Sequence, residues 1–166
     1  MMEPRIITTS HKKLVGRKLR MSISANRTVE LWQFLMPRRK DIRNTSSSDL
    51  FSVQVFDQDL DFKDFTTETE FEKWAAVEVS EYKEIPEGME TLDIPRGLYA
   101  VFNYKGAANN FAPMFQYIFA TWIPASNYQV DNRPHFDVLG EKYKGNDPIS
   151  EEEIWVPIKP KQTRNS

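Results

Sequence analysis

The sequence predicts an α+β fold in which a strand-helix-strand-strand unit is written twice, and three matched pairs of segments carry that reading. Leu14-Val15-Gly16-Arg17 and Leu98-Tyr99-Ala100-Val101 open the two halves, Leu35-Met36-Pro37 and Trp122-Ile123-Pro124 each close a helical run, and Phe71-Glu72-Lys73-Trp74 answers Glu152-Glu153-Ile154-Trp155. Members of each pair are separated by close to half of the 166 residues. A unit of that size buries too little surface to stand alone, so the copies must pack together, and the seam between them is a natural place for a pocket. Connections too short for parallel crossovers make the sheet antiparallel, with two main helices. One domain over residues 1–166 is expected, with a first repeat at about 4–82, a second at about 88–160 and a tail at 161–166.

Residues 4–24 read as extended, Ile6 to Thr9 and Leu14 to Leu19 bracketing a polar Ser-His-Lys-Lys turn. A helix follows from about Thr28 to Met36. Asn26 or Thr28 can cap it, Leu31, Trp32 and Leu35 share one face, and Pro37 limits its end. The cations Arg38, Arg39 and Lys40 then suit the negative end of the helix dipole. Phe51 to Phe56 alternates as a strand, Asp57 to Asp64 reads as a solvated hairpin turn, and Phe71 to Val79 is the next strand. The alternate aspartates Asp57, Asp59 and Asp61 lack the glycine and distal glutamate of a calcium loop. Met89 to Ile94 is an added strand, and Pro95-Arg96-Gly97 leads into Leu98 to Lys105. The second helix runs from about Phe111 to Trp122, capped by Asn110, with Pro113 in its first turn and Pro124 beyond it. Its apolar residues go most of the way round, which predicts cover on more than one side. Phe136 to Leu139, a turn at Gly145 to Pro148 and Glu152 to Lys159 complete the second copy.

Composition narrows the chemistry. Eleven Phe, six Tyr and four Trp either fill a core or line a concave site for flat, greasy ligands. With no cysteine there is no disulfide, thiol nucleophile or Cys-ligated zinc, and His11 and His135 alone make no histidine-rich metal site. No metal and no cofactor is expected. No apolar stretch is long enough to span a bilayer and the first residues carry no signal segment, so a cytoplasmic protein is the default. Residues 1–43 hold 11 Lys or Arg against 3 Asp or Glu, but these cations are scattered over strand and helix positions without the pattern of a recognition helix. They read as solvated faces, and no direct nucleic-acid binding is expected.

The last strand carries the sharpest pattern. Ile154, Val156 and Ile158 share one face and belong against the helices, which leaves Glu153 beside Trp155 on the other. The matching strand of the first copy places Glu72 and Trp74 together in the same way. A carboxylate among aromatic rings can neutralise a cation while the rings attract it further, by roughly 0.5–2 kcal/mol per ring once water is excluded. Both acids also read as rim charges beside core tryptophans, and for Glu72 that reading leads. For Glu153, flanked by Ile154, Trp155 and Val156, the two readings stand level.

The ending Glu151-Glu152-Glu153-Ile154-Trp155-Val156-Pro157-Ile158, together with Gly97-Leu98-Tyr99-Ala100-Val101-Phe102 and the helix from Phe115 to Pro124, resembles the AraC-type effector-binding domain, also called the gyrase-inhibitor-like small-molecule-binding domain. The resemblance covers nearly the whole chain. It implies a ligand cleft at the pseudo-two-fold between the repeats, lipophilic cationic or aromatic ligands, and a glutamate on the closing strand that matches Glu153. Regulators of this kind carry a helix-turn-helix domain on the same chain, so this sequence is expected to be a stand-alone member. Stand-alone relatives include gyrase inhibitors and hydrolases of strained cyclopropane-containing toxins.

The function expected is therefore binding of a hydrophobic, cationic aromatic small molecule, for effector or drug sensing or sequestration, linked to transcription regulation. Glu153 would supply the counter-charge, and Trp155, Trp74, Tyr99, Phe102, Tyr117 and Trp32 the walls. A hydrolase using a pocket glutamate is the runner-up reading, with a tyrosine such as Tyr99 or Tyr117 assisting. A gyrase-inhibitor-like role with a protein partner is a third.

Overall fold

In the computed structural model, which describes residues 3–162, nine extended segments join into one antiparallel sheet. The strands are β1 (Arg5–Thr9), β2 (Lys12–Met21), β3 (Leu50–Val55), β4 (Phe71–Val79), β5 (Glu90–Ile94), β6 (Gly97–Lys105), β7 (Tyr128–Val130), β8 (His135–Leu139) and β9 (Glu151–Pro160). Their order is β1-β6-β9-β8-β3-β4-β2-β5, with the short β7 paired to the end of β9. The half β2-β4-β3 is repeated as β6-β9-β8, and the halves meet where β3 pairs with β8. That is the duplicated unit, arranged about a pseudo-two-fold at the β3–β8 seam.

The polar segment after Thr9 does not turn β1 back onto β2. Thr9 faces Gly97 in the β1–β6 ladder and Lys12 faces Ile94 in the β2–β5 ladder, so one register runs unbroken through both. Ser10-His11 and Pro95-Arg96 are corners in two long strands that pair with each other across the repeats. Because the two ends of the strand order are joined through these corners, the sheet curls round on itself. The curl encloses a central cluster of Leu14, Phe51, Val53, Trp74, Ile94, Tyr99, Val101 and Phe136 on one face. The Tyr99 hydroxyl donates to the Pro134 carbonyl oxygen at 2.7 Å, which satisfies its polar atom inside that cluster.

The other face carries the helices. α1 (Thr28–Arg38) begins where Asn26 Oδ1 accepts the Thr28 N–H at 2.8 Å, and it buries Leu31 and Leu35 over β2 and β4. Each of those leucines contributes roughly 1.5–3 kcal/mol of burial. Pro37 lies in the last turn of α1 rather than beyond it. In the second repeat α2 (Ala112–Gln116) continues through a π-helical stretch at Tyr117–Trp122 into α3 (Ile123–Ala125), over Ala100, Phe102, Ile154, Val156 and Ile158. Ile123 donates to the Ile118 carbonyl, one residue further back than in an α-helix, just before Pro124, which has no N–H to give.

Two expectations are corrected here. The second helix is not covered on several sides: Ala112, Pro113, Phe115, Gln116, Ala120 and Thr121 are exposed, and the wide apolar arc exists because Phe111, Phe115 and Phe119 face an open cleft. Leu14 and Leu98 are not equivalent either, since Leu14 lies in the central cluster and Leu98 packs under the second helix. A slip of one residue in aligning the copies moves a side chain to the opposite face. No helix of the described residues is long and apolar enough to cross a membrane.

Candidate ligand-binding cleft

The seam between the repeats holds a cavity of about 500 Å³ on the helix-bearing face. Its floor is set by strand register. Lys73 of β4 faces Gln54 of β3, which faces His135 of β8, so three polar side chains stand in a row across neighbouring strands. One step along, Ser52 faces Asp137, which faces Ile154 of β9. Ile23, Asn26 and Thr28 before and at the start of α1 close one side, and Phe111, Phe115 and Phe119 of the second helix close the other. The β3–β4 connection, read from sequence as a solvated turn, instead sends Phe56, Phe62 and Phe65 into the cleft. Phe62 stacks on Phe119 with ring centroids 6.4 Å apart, Phe119 meets Phe115 at 4.7 Å, and Phe56 stands edge-on to the His135 ring at 4.9 Å. Asp57 in the same connection is held by both terminal nitrogens of Arg20, at 3.0 and 2.8 Å, which anchors the start of the loop.

Burial governs the protonation of the floor. It pushes the Asp137 carboxyl up to about 6, with Lys73 pulling the other way. It also pushes Glu152 up to about 7, with Asp137 adding to the rise and Lys73 opposing it; Glu152 is next along β9 from Ile154 on the same face but lines a neighbouring depression with Asp49, Asn103 and Lys142 rather than the cleft. The Lys73 ammonium is lowered by burial against the pull of both acids. His135 is lowered to about 3 by burial and by Arg133, so it is a neutral ring with one donor and one acceptor nitrogen. Among the described residues no side chain hydrogen-bonds to Lys73, Gln54, His135 or Asp137, and none of these buries a polar atom out of reach of the cavity. An aromatic wall over a floor with an unclaimed carboxylate, ammonium, amide and imidazole can hold a flat ligand and orient its polar edge.

The residues picked from sequence are distributed differently. Trp155 borders the cleft between Ile154 and Val156, but its indole stacks on Phe136 of the central cluster, with ring centroids 5.1 Å apart. Glu153 lies on the face away from the helices, with 38% of its side chain exposed, an ion pair to Arg5 at 2.6 Å and a hydrogen bond from the Trp155 indole at 3.2 Å. Trp74 and Tyr99 are buried in the central cluster. Phe102 of β6 and Tyr117 of the second helix are buried against each other with rings 6.4 Å apart, and Trp32, a residue of α1, packs half-buried against the core beneath that helix. The structure does not bring Glu153, Trp74, Tyr99, Phe102, Tyr117 or Trp32 to the cavity. Asp137, Lys73 and His135 are the residues that sequence reasoning passed over. A signal was present for Lys73, which sets a polar group in the otherwise apolar row of Phe71, Ala75 and Val77; Asp137 and His135 share their face of β8 with Leu139 alone, a row too short to mark them.

Comparison with known proteins agrees with this architecture. The chain is 27% identical over 158 residues to the transcriptional regulator BrlR of Pseudomonas aeruginosa, covering 95% of this chain and 56% of that protein. It therefore spans little more than half the length of that relative. Among solved structures it is similar to SAV2435 bound to tetraphenylphosphonium, with a TM-score of 0.70, 16% identity and coverage of 95% and 94% of the two chains. A hydrolase from Listeria innocua has the same fold at a TM-score of 0.59 and 10% identity, over 95% of this chain and 92% of that one. Residues 2–159 match the GyrI-like small molecule binding domain, and with its duplicated unit and cleft at the seam the chain belongs to that family.

Proposed function

We propose that this chain binds hydrophobic, cationic aromatic small molecules in the cleft at the β3–β8 seam, as the sensing or sequestering part of a system linked to transcription regulation. The observation that carries the reading is Asp137: a carboxylate with no hydrogen-bond or ion-pair partner among the described residues, at the floor of a cavity walled by phenylalanine rings. Such an acid gains more from a ligand cation than one already paired in solvent, because the ligand restores the solvation that burial removed. Face-on rings add cation–π attraction of roughly 0.5–2 kcal/mol each. The tetraphenylphosphonium held by SAV2435 supports this choice of ligand class, and the regulator BrlR supports the link to transcription. Calorimetric titration with tetraphenylphosphonium and with 9-aminoacridine tests the reading. Saturable binding of one or both, weakened at least tenfold in Asp137→Asn, is expected. Absence of binding by both, or equal affinity in the variant, overturns it.

Hydrolysis of a reactive small molecule is a second reading, favoured by one observation. Asp137 and Glu152 are lifted to about 6 and 7, where a carboxyl can give or take a proton near neutral pH. Turnover of a strained electrophile that is lost in Glu152→Gln and in Asp137→Asn would establish it; binding without turnover would leave the first reading alone.

A further inference from the structure

We propose that the cleft selects aromatic ligands bearing an acidic or acceptor group for Lys73 together with a basic or donor group for Asp137, an inference that rests on the aromatic-cation reading above. Lys73 is the reason. It stands on the same floor as Asp137, two strands away, and makes no ion pair within 4 Å among the described residues. A ligand that is only a cation would expel water from the Lys73 ammonium, add a like charge beside it and offer it nothing in return. An acidic group on the same ligand removes both costs and gains a charge-assisted hydrogen bond. The intervening residues suit such a ligand. Gln54 faces both Lys73 and His135 and offers a donor and an acceptor, while the neutral His135 ring offers one of each. Two strand spacings place the Lys73 and Asp137 columns about 10 Å apart, the length of a fused three-ring system. Phe62 and Phe119 meet the His135 ring at 5.4 and 6.2 Å and, with Phe115, wall the same cavity as a stacking surface. The site therefore recognises a pattern of opposite charges at the two ends of one aromatic body.

Fluorescence titration of the wild-type protein with 9-aminoacridine and with 9-aminoacridine-4-carboxylic acid, which differ by one carboxylate on the same rings, reads this selection directly. The acid is expected to bind at least tenfold more tightly. In Lys73→Gln that preference should vanish, and the parent amine should bind several-fold more tightly than it does to wild type. Equal or weaker binding of the acid by wild-type protein overturns the inference while the amine's own affinity keeps the aromatic-cation reading standing. A preference for the acid that survives unchanged in Lys73→Gln also overturns it. Binding of neither acridine overturns the inference, and the aromatic-cation reading falls with it only if tetraphenylphosphonium is not bound either.

Discussion

Trp155 donates its indole N–H to Glu153 Oε1 at 3.2 Å, two residues back along the same strand. The first repeat makes the same contact, Trp74 to Glu72 Oε1, at 2.6 Å. Each carboxylate has a cation beside it as well, Arg5 at 2.6 Å from Glu153 and Lys18 at 3.8 Å from Glu72. The Glu-x-Trp pattern repeated in the sequence is a clasp on the face opposite the helices. It fixes both indoles and leaves neither acid waiting for a ligand.

Glu153→Gln should accordingly leave the affinity for tetraphenylphosphonium within about twofold of wild type. The exposed ion pair with Arg5 is worth roughly 0–1 kcal/mol, so urea denaturation should show a loss no larger than that. A tenfold fall in affinity would return Glu153 to the site.

Cation binding should depend on pH through Asp137, which is lifted to about 6 in the ligand-free cleft. The ionised form binds the cation and the proton competes for it. Affinity should therefore hold above pH 7 and fall below pH 6, by up to about tenfold per unit. His135 stays neutral throughout this window, being lowered to about 3. Titration of 9-aminoacridine from pH 5 to 8 checks the profile, which in Asp137→Asn should be low and lack the step near pH 6.

Glu152 makes the opposite contribution to folding. Its folded-state value, about 7, lies above its ordinary 4.5, so the native protein holds a proton there that the unfolded chain releases. Stability from this group is present at low pH and lost as pH rises through 7. Glu152→Gln should raise stability by about 1 kcal/mol at pH 8, where the buried charge is removed, and give no gain at pH 5. Paired urea melts at the two pH values decide it.

Gly16 sits where β2 crosses β4 on the inner face, opposite Ala76. A Cβ there would fall on the Ala75 carbonyl oxygen and within 2.6 Å of the Ala76 Cα. These are backbone atoms of a central strand and cannot swing aside. Gly16→Ala should cost at least about 3 kcal/mol, in the range of severe overpacking, and thermal denaturation should show the drop.

Much of the fold was legible because its signals are local. Alternation gave β4 at Phe71–Val79 with the observed bounds, and Asn26 and Pro37 bracketed α1 to within its last turn. The corner at Ser10-His11 was not legible. A short polar link between two strands reads as a hairpin, and only the pairing of β1 with β6 shows that the chain passes across the repeats. The cleft residues were hidden for a related reason. His135 and Asp137 belong to a strand only five residues long, and Lys73 sits beside the more conspicuous Trp74.

The sequence by itself determined the duplicated strand-helix-strand-strand order, the antiparallel pairing and a seam that must carry the pocket, because periodicity and loop length are properties of neighbouring residues. Only the tertiary structure decided which face of the seam is open. Both faces of β9 are apolar over much of their length, Ile154, Val156 and Ile158 on one and Trp155 and Pro157 on the other, since the curled sheet buries one and the helices cover the other. Alternation separates two faces but cannot say which of two covered faces leaves a void. Packing leaves it between the helices, and so the acid at the cleft floor is Asp137 and not Glu153.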